Sequence, residues 1–247
     1  MSLLNPYSKP SKGRCVLIQV DRKDIYRYLG YRRNEPEEDV RRAVEECVTM
    51  LQEAVTPRCI YRRYPVETVY VFPSGRSSWN NREQPPVLRI AGMEIRSRSL
   101  ANNLRGCREV YLMAATLGLG PDRLIARESV KRMSMAVILQ AAAAAMIESW
   151  CDSVNRKIIR EASVEGLYCR PRFSPGYGDF SLEFQRDFAQ ALRLQKEIGV
   201  SLTESLLMMP SKSVTAVIGL SPVRESCEMH GCEVCEKADD CAFSRVV

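Results

Sequence analysis

The chain has 247 residues, enough for one large domain or two small ones with a well-buried core. Its 45% hydrophobic and 27% charged composition is ordinary for a globular protein, and its net charge of +6 is spread without a basic stripe of interleaved aromatics, so no nucleic-acid site is expected. No signal-peptide core opens the chain and no run approaches the roughly eighteen apolar residues of a membrane span, so the expectation is a cytoplasmic protein with no membrane contact.

Residues 1–14 are rich in Pro, Ser and Lys and read as an arm, residues 15–222 as one domain, and 223–247 as a cysteine-rich tail. A short helix is expected from Asp21 to Leu29, ahead of Gly30. Pro36 with Glu37, Glu38 and Asp39 signals a helix start, because proline is tolerated at the first position and carboxylates favour the positive end of the helix dipole. Val40, Ala43, Val44, Cys47, Val48 and Leu51 then recur at helical spacing until Pro57 stops them. Cys59–Tyr61 and Val66–Phe72 read as strands, 73–86 as a polar loop, and Val87–Ile90 with Met93–Ile95 as a hairpin through Ala91-Gly92. Arg108–Ala115 is an apolar strand.

Pro121-Asp122 opens the longest helical region, to about Ser163 with a break near 130. Its expected apolar phase includes Met133, Val137, Ala141, Ala145 and Cys151, and its alanine run makes it the central helix. Ser181 caps a further helix ending at Gly199, Ser201-x-x-Glu204 is a capping box for a short one, and Ser213–Leu220 is the last strand. Strands and helices mixed without strict alternation predict an α+β fold.

Among the sites, Gly118-x-Gly120 follows a strand and opens a helix. It lacks the remainder of a dinucleotide fingerprint, so it reads as a tight turn and a Rossmann-type methyltransferase is disfavoured. The chain has one histidine, His230, which excludes a Ser-His-Asp triad or a multi-histidine metal site. Six of the ten cysteines are scattered, several at apolar-phase positions, and read as small buried hydrophobes. The other four, Cys227, Cys232, Cys235 and Cys241, form C-x4-C-x2-C-x5-C in an acidic tail. They read as ligands of zinc or an iron–sulfur cluster, with His230 as a ligand or a surface residue; metal-free thiols are the alternative.

The densest signal is Arg172-Phe173-Ser174-Pro175-Gly176-Tyr177-Gly178-Asp179-Phe180. Pro175-Gly176 is a turn dipeptide, expected to leave backbone groups near Ser174 and Tyr177 unpaired for a ligand. Arg172 brings a planar fork of donors suited to a carboxylate, and Tyr177 a flat face and a hydroxyl. Together they make a pocket for a small, flat, anionic ligand; the alternative is a structural turn whose arginine pairs with a carboxylate at the core edge. The run Leu202-Thr203-Glu204-Ser205 through Met209-Pro210-Ser211-Lys212-Ser213-Val214 follows about thirty residues later.

These two segments resemble, in order and spacing, the Arg-Pro-x-Pro-Gly-Tyr and Thr-Glu-Ser-x-x-Met-x-Pro-x-x-Ser-Val motifs of the activation domain of cobalamin-dependent methionine synthase. Tyr28-Leu29-Gly30-Tyr31 and Ala114-Ala115-Thr116-Leu117-Gly118 are similar to short, stand-alone relatives of that domain. The resemblance implies a mixed or antiparallel sheet with a long central helix, and S-adenosylmethionine bound in the loop beside a cobalamin carried by a partner. Arg172 would hold the ligand's carboxylate, Ser174 and Gly176 would supply backbone contacts, and Tyr177, the candidate catalytic residue, would stand between ligand and corrin.

Glu148 stands for the family's helix carboxylate, with a register one turn away or a locally paired carboxylate as alternatives. The family's second tyrosine appears here as Ile218, so that contact is missing, and the family's domain has no cysteine tail. The implied role is reductive methylation of an inactivated cobalamin of a partner methionine synthase or corrinoid protein, with flavodoxin or ferredoxin as electron donor. Two other readings remain: a thiol-ligated metal or iron–sulfur protein passing electrons to a corrinoid partner, and a non-catalytic scaffold of the corrinoid complex.

Overall fold

The structure is a computed structural model that describes residues 17–31, 35–69 and 85–224. Its centre is the strand β4 (Glu109–Thr116), in which every residue after Glu109 is buried. Continuous apolar burial marks a strand covered on both faces. β1 (Arg58–Val69) pairs with β4 on one side and β8 (Ser213–Ser221) on the other, both antiparallel, in registers that place Arg63 against Tyr111 and Tyr111 against Ile218. The hairpin β2 (Val87–Ile90) and β3 (Met93–Arg96) extends the sheet beyond β1, and β5 (Tyr168–Cys169) lies along the far edge of β8, giving the order β3-β2-β1-β4-β8-β5.

The period of two along the strands divides the core. Tyr61, Tyr111, Met113, Ala216 and Ile218 face one layer, and Ile60, Val110, Leu112 and Val217 face the other. The first layer is helical: α1 (Arg22–Tyr28), α2 (Glu38–Ala54), α4 (Gly120–Lys131) and the long α5 (Met133–Val164). The second holds α3 (Arg98–Asn103), α6 (Gln185–Leu192), α7 (Leu194–Ile198) and the hairpin. The expected α+β fold with a long central helix is what forms.

Several local expectations are corrected. The two strands expected at 59–61 and 66–72 are one strand over 58–69, with residues beyond Val69 outside the described residues. The basic stretch between them continues because Arg62 pairs with Glu197 (3.3 Å) and Arg63 with Glu109 (2.5 Å) and Glu165 (2.7 Å). Pro65 falls where pairing passes from β4 to β2. The helix expected from Ser181 to Gly199 breaks at Arg193, which adopts a left-handed φ of 55°. Here the Ala191 carbonyl accepts from Arg62 and from the Tyr64 hydroxyl, both at 3.0 Å, instead of continuing a helical ladder. The capping box at Ser201 starts no helix. β6 (Ser201–Leu202) pairs with β7 (Met208–Met209), and the Thr203 hydroxyl takes the Leu207 N–H (3.0 Å).

In α5 the apolar phase differs from expectation near its start. Met133 and Val137 are exposed, and Met135, Ile138 and Leu139 are buried instead. α5 is also long and apolar enough, by length and composition, to cross a membrane, which a count of unbroken apolar runs misses; 61% of that window is buried, the mark of a core helix. The arm 1–14, most of the 73–86 loop, and residues 225–247 of the tail, with His230, Cys227, Cys232, Cys235 and Cys241, lie outside the described residues.

The Gly118-x-Gly120 segment is a strand-to-helix turn. A Cβ on Gly120 would come within 1.9 Å of the Ala54 carbonyl oxygen, so α2 and α4 meet there backbone to backbone. Gly120→Ala is expected to destabilise the fold by about 2 kcal/mol, because the obstruction is main chain and cannot swing aside. Thermal unfolding of the two proteins checks this.

Candidate functional site

The loop that follows β5 is held along the outer edge of the sheet. Arg170 N–H donates to the Gly219 carbonyl (2.8 Å), and Phe173 exchanges both backbone bonds with Val217 (2.9 and 2.8 Å). Alternation places the side chain of Phe173 in the second layer, packed near Phe180 with ring centroids 6.3 Å apart. Arg172, one residue earlier, reaches the opposite side and meets α5. Its Nη2 lies 3.2 Å from Glu148 Oε2, and its Nη1 lies 2.8 Å from Asp152 Oδ1. The two carboxylates are one helical turn apart and so share a face.

Pro175-Gly176 makes the expected turn, with φ of +96° at Gly176. The backbone is more self-contained than expected. Tyr177 N–H donates to the Ser174 carbonyl (3.2 Å), Gly176 N–H to the Phe180 carbonyl (2.7 Å), and Phe180 N–H to the Tyr177 carbonyl (3.0 Å). The expectation that groups near Ser174 and Tyr177 stay unpaired therefore fails at these atoms: Phe180 is a fully buried anchor, and it draws the turn closed behind it. Tyr177 itself is 64% exposed, its ring tilted 6.4 Å from that of Phe173, while Ser174 is half-buried.

Asp179 secures the loop from the other end. Its carboxylate accepts from the Ser97 hydroxyl (2.6 Å) and from the N–H groups of Arg98 (2.7 Å) and Ser99 (3.1 Å), at the start of α3. Partial burial pushes its pKa up, but the hydrogen bonds from Ser97, Arg98 and Ser99 outweigh that and hold it below the ordinary 3.8.

The second motif lies at the start of β8. The Ser211 N–H donates to Asp122 (2.9 Å) and its hydroxyl bonds the same carboxylate, while Ser213 bonds Thr116 (2.8 Å) and the Pro210 carbonyl (2.7 Å). These contacts tie the motif to β4 and the first turn of α4. Lys212 between them is buried, and burial lowers its pKa despite the nearby Asp122. Ile218, at the family's second tyrosine position, is fully buried in the helical layer, a packing residue.

The structure thus brings Arg172 and Glu148 into contact and carries Ser174, Gly176 and Tyr177 on the adjoining turn. Asp152 and Asp179 were missed. The signal for Asp152 was its place one turn after Glu148; for Asp179 it was a carboxylate directly after the Gly-Tyr-Gly turn, whose partner lies some eighty residues earlier and could not be read locally. Of the described cysteines, Cys47 and Cys151 are buried in the core as expected, while Cys59, Cys107 and Cys169 are only partly buried at its edges. Burial pushes the thiols of Cys47 and Cys151 up to about 12 and that of Cys169 to about 11. Among the described residues no cluster of three or more His, Cys, Asp or Glu could hold a metal ion.

Residues 122–233 match the family model for the vitamin B12 dependent methionine synthase activation domain, a stretch that contains both motifs and α5. The chain is also similar in fold to a solved structure described as the MetH reactivation domain bound to AdoHcy, with a TM-score of 0.56 at 15% identity, covering 83% of this chain and 75% of that one. No curated protein sequence matches the chain. The resemblance read from the two motifs is borne out in sequence over 122–233 and in fold over most of the chain.

The Asp179 anchor has a pH signature. A depressed folded pKa contributes stability that is full above the unfolded value near 3.8 and is lost as pH falls through the folded value below it. Asp179→Asn is expected to cost about 1 kcal/mol at pH 7, the size of a lost helix cap. The difference from wild type should be constant near neutral pH and shrink in melts as pH falls below 3.8 and through the lower folded value, where the Asp179 carboxylate takes up its proton.

Proposed function

We propose that this chain, whose residues 122–233 carry the signature of the methionine synthase activation domain, binds S-adenosylmethionine at the Arg172–Tyr177 loop and presents its methyl group to the cobalamin of a partner. The observation that carries the reading is the meeting of Arg172 with Glu148 and Asp152 on α5, beside the exposed ring of Tyr177. Each terminal nitrogen of a guanidinium has two N–H groups, so each keeps a donor after bonding one helix carboxylate. Those donors would take the ligand's carboxylate, and Glu148 would accept from its ammonium. Glu148 thus fills the family's helix-carboxylate role in this proposal.

Tyr177, unpacked on most of its surface, would cover the ligand from the partner's side, with the backbone of Ser174 and Gly176 setting the width of the turn. The partner's corrin supplies the metal centre that takes the methyl group. The residues of this chain bind and orient the donor, and positioning of that kind accounts for much of the rate in such transfers. The partner in this reading is a cobalamin-dependent methionine synthase or another corrinoid protein in a cytoplasmic setting. A flavodoxin or ferredoxin would supply the electron that accompanies methylation.

Arg172→Ala is expected to weaken S-adenosylmethionine binding by about 2 kcal/mol, roughly thirtyfold, since a charge-assisted pair is lost. Titration calorimetry on both proteins reads this out. Unchanged affinity with a lowered melting temperature would make the arginine purely structural and end the ligand assignment.

The domain limits 15–222 and the tail 223–247 are part of the same proposal, with Cys227, Cys232, Cys235 and Cys241 as ligands of one zinc ion or iron–sulfur cluster. Four thiolates among acidic residues repel one another without a cation. Elemental analysis of anaerobically purified protein is expected to show about one zinc or one cluster per chain. Less than about a tenth of an equivalent of either metal, with four titratable tail thiols, would leave these residues as free thiols.

A further inference from the structure

Arg172 faces one carboxylate more than its charge requires. Glu148 and Asp152 contact different terminal nitrogens, at 3.2 and 2.8 Å, so one guanidinium and two carboxylates leave the group with a single net negative charge. The excess lies at the open side: the Arg172 side chain is 20% exposed, that of Glu148 41% and that of Asp152 57%. Cys151, next to Asp152 on α5 and fully buried, senses the same set. Its thiol is raised first by burial; Arg172 then draws it down, and Glu148 and Asp152 push it up.

A site of net charge −1 treats ligands of one shape and different charge unequally. S-adenosylmethionine carries a sulfonium, an ammonium and a carboxylate, for a net +1. Its demethylated thioether product carries only the last two and is neutral overall. Arg172 and Glu148 alone would be balanced and would match the zwitterionic head that both ligands share. Asp152 supplies the unmatched negative charge, and only the methylated ligand has an unmatched positive one.

We propose that Asp152 is a specificity-determining residue, whose charge makes the Arg172 site prefer the sulfonium methyl donor over its neutral thioether product. The inference rests on the reading that S-adenosylmethionine binds at this loop. It gives the site a means of releasing spent ligand, because methyl transfer removes the one charge that Asp152 attracts.

The test compares S-adenosylmethionine and S-adenosylhomocysteine by titration calorimetry on the full chain, for wild type, Asp152→Asn and Asp152→Glu. Asparagine keeps an oxygen to accept from Arg172 and removes the charge. It is expected to weaken S-adenosylmethionine about threefold to tenfold at low salt and leave S-adenosylhomocysteine within about twofold, the size of one unit charge acting over several ångströms near a protein surface. The gap should narrow as salt is raised, and Asp152→Glu should restore the preference. Equal weakening of both ligands by Asp152→Asn would show that Asp152 only steadies Arg172, and would overturn the proposal while leaving the binding reading intact. Absence of binding of either ligand to wild type would overturn both.

Discussion

The antiparallel pairing of β4 with β8, buried on both faces, is the constraint on which the rest of the molecule depends. Eight residues of each strand are in register, from Glu109 opposite Leu220 to Thr116 opposite Ser213. Because side chains alternate, one strand pair organises two cores at once: Tyr111 and Met113 lie under the helices, and Val110 and Leu112 under α6 and α7. A slip of one residue would exchange the two sets and lose both cores, so the register is strongly specified. Everything at the candidate site hangs from this pair, since the Arg172 loop is bonded to the open edge of β8 and the second motif leads into its first residue.

The edge position explains how a turn of small residues can be held rigidly and remain accessible. Phe173 and Phe180 anchor it in the second core, Arg170 and Phe173 add it to the sheet, and Asp179 fastens it to α3. Arg172 alone crosses to the helical side. The turn is therefore clamped on three sides, and the side chain left outward is Tyr177. Such clamping limits the entropy lost on binding a ligand while leaving one face of the turn open.

The polar contacts around this frame differ in what they contribute. Arg63 with Glu109 and Glu165, and Arg132 with the buried Glu128, join strand to strand, strand to helix end, and one turn of helix to the next. The Arg172 group sits at a surface and is unbalanced in charge, which is a poor arrangement for stability and a useful one for recognising a cation.

Sequence patterns alone were sufficient for most elements, because their information is local. The acidic start, helical spacing and Pro57 stop of α2, the Gly92 turn of the β2–β3 hairpin, the apolar runs of β4 and β8 and the break between α4 and α5 all lie within a few residues of the structure they specify. So did the Pro175-Gly176 turn and the Arg172–Tyr177 motif, whose chemistry is written in consecutive residues. What only the tertiary structure decided were contacts made across long separations. The Ala191 carbonyl is taken by Arg62 and Tyr64, which breaks a helix that its own sequence would continue. The Asp179 carboxylate finds its partners at Ser97, Arg98 and Ser99. Arg172 acquires a second carboxylate, Asp152, because the edge of β8 and the face of α5 happen to meet there. Local propensity governs elements whose hydrogen bonds close within themselves. Where a backbone or charged group finds its partner on another element, the packing of the two layers on the sheet makes the choice.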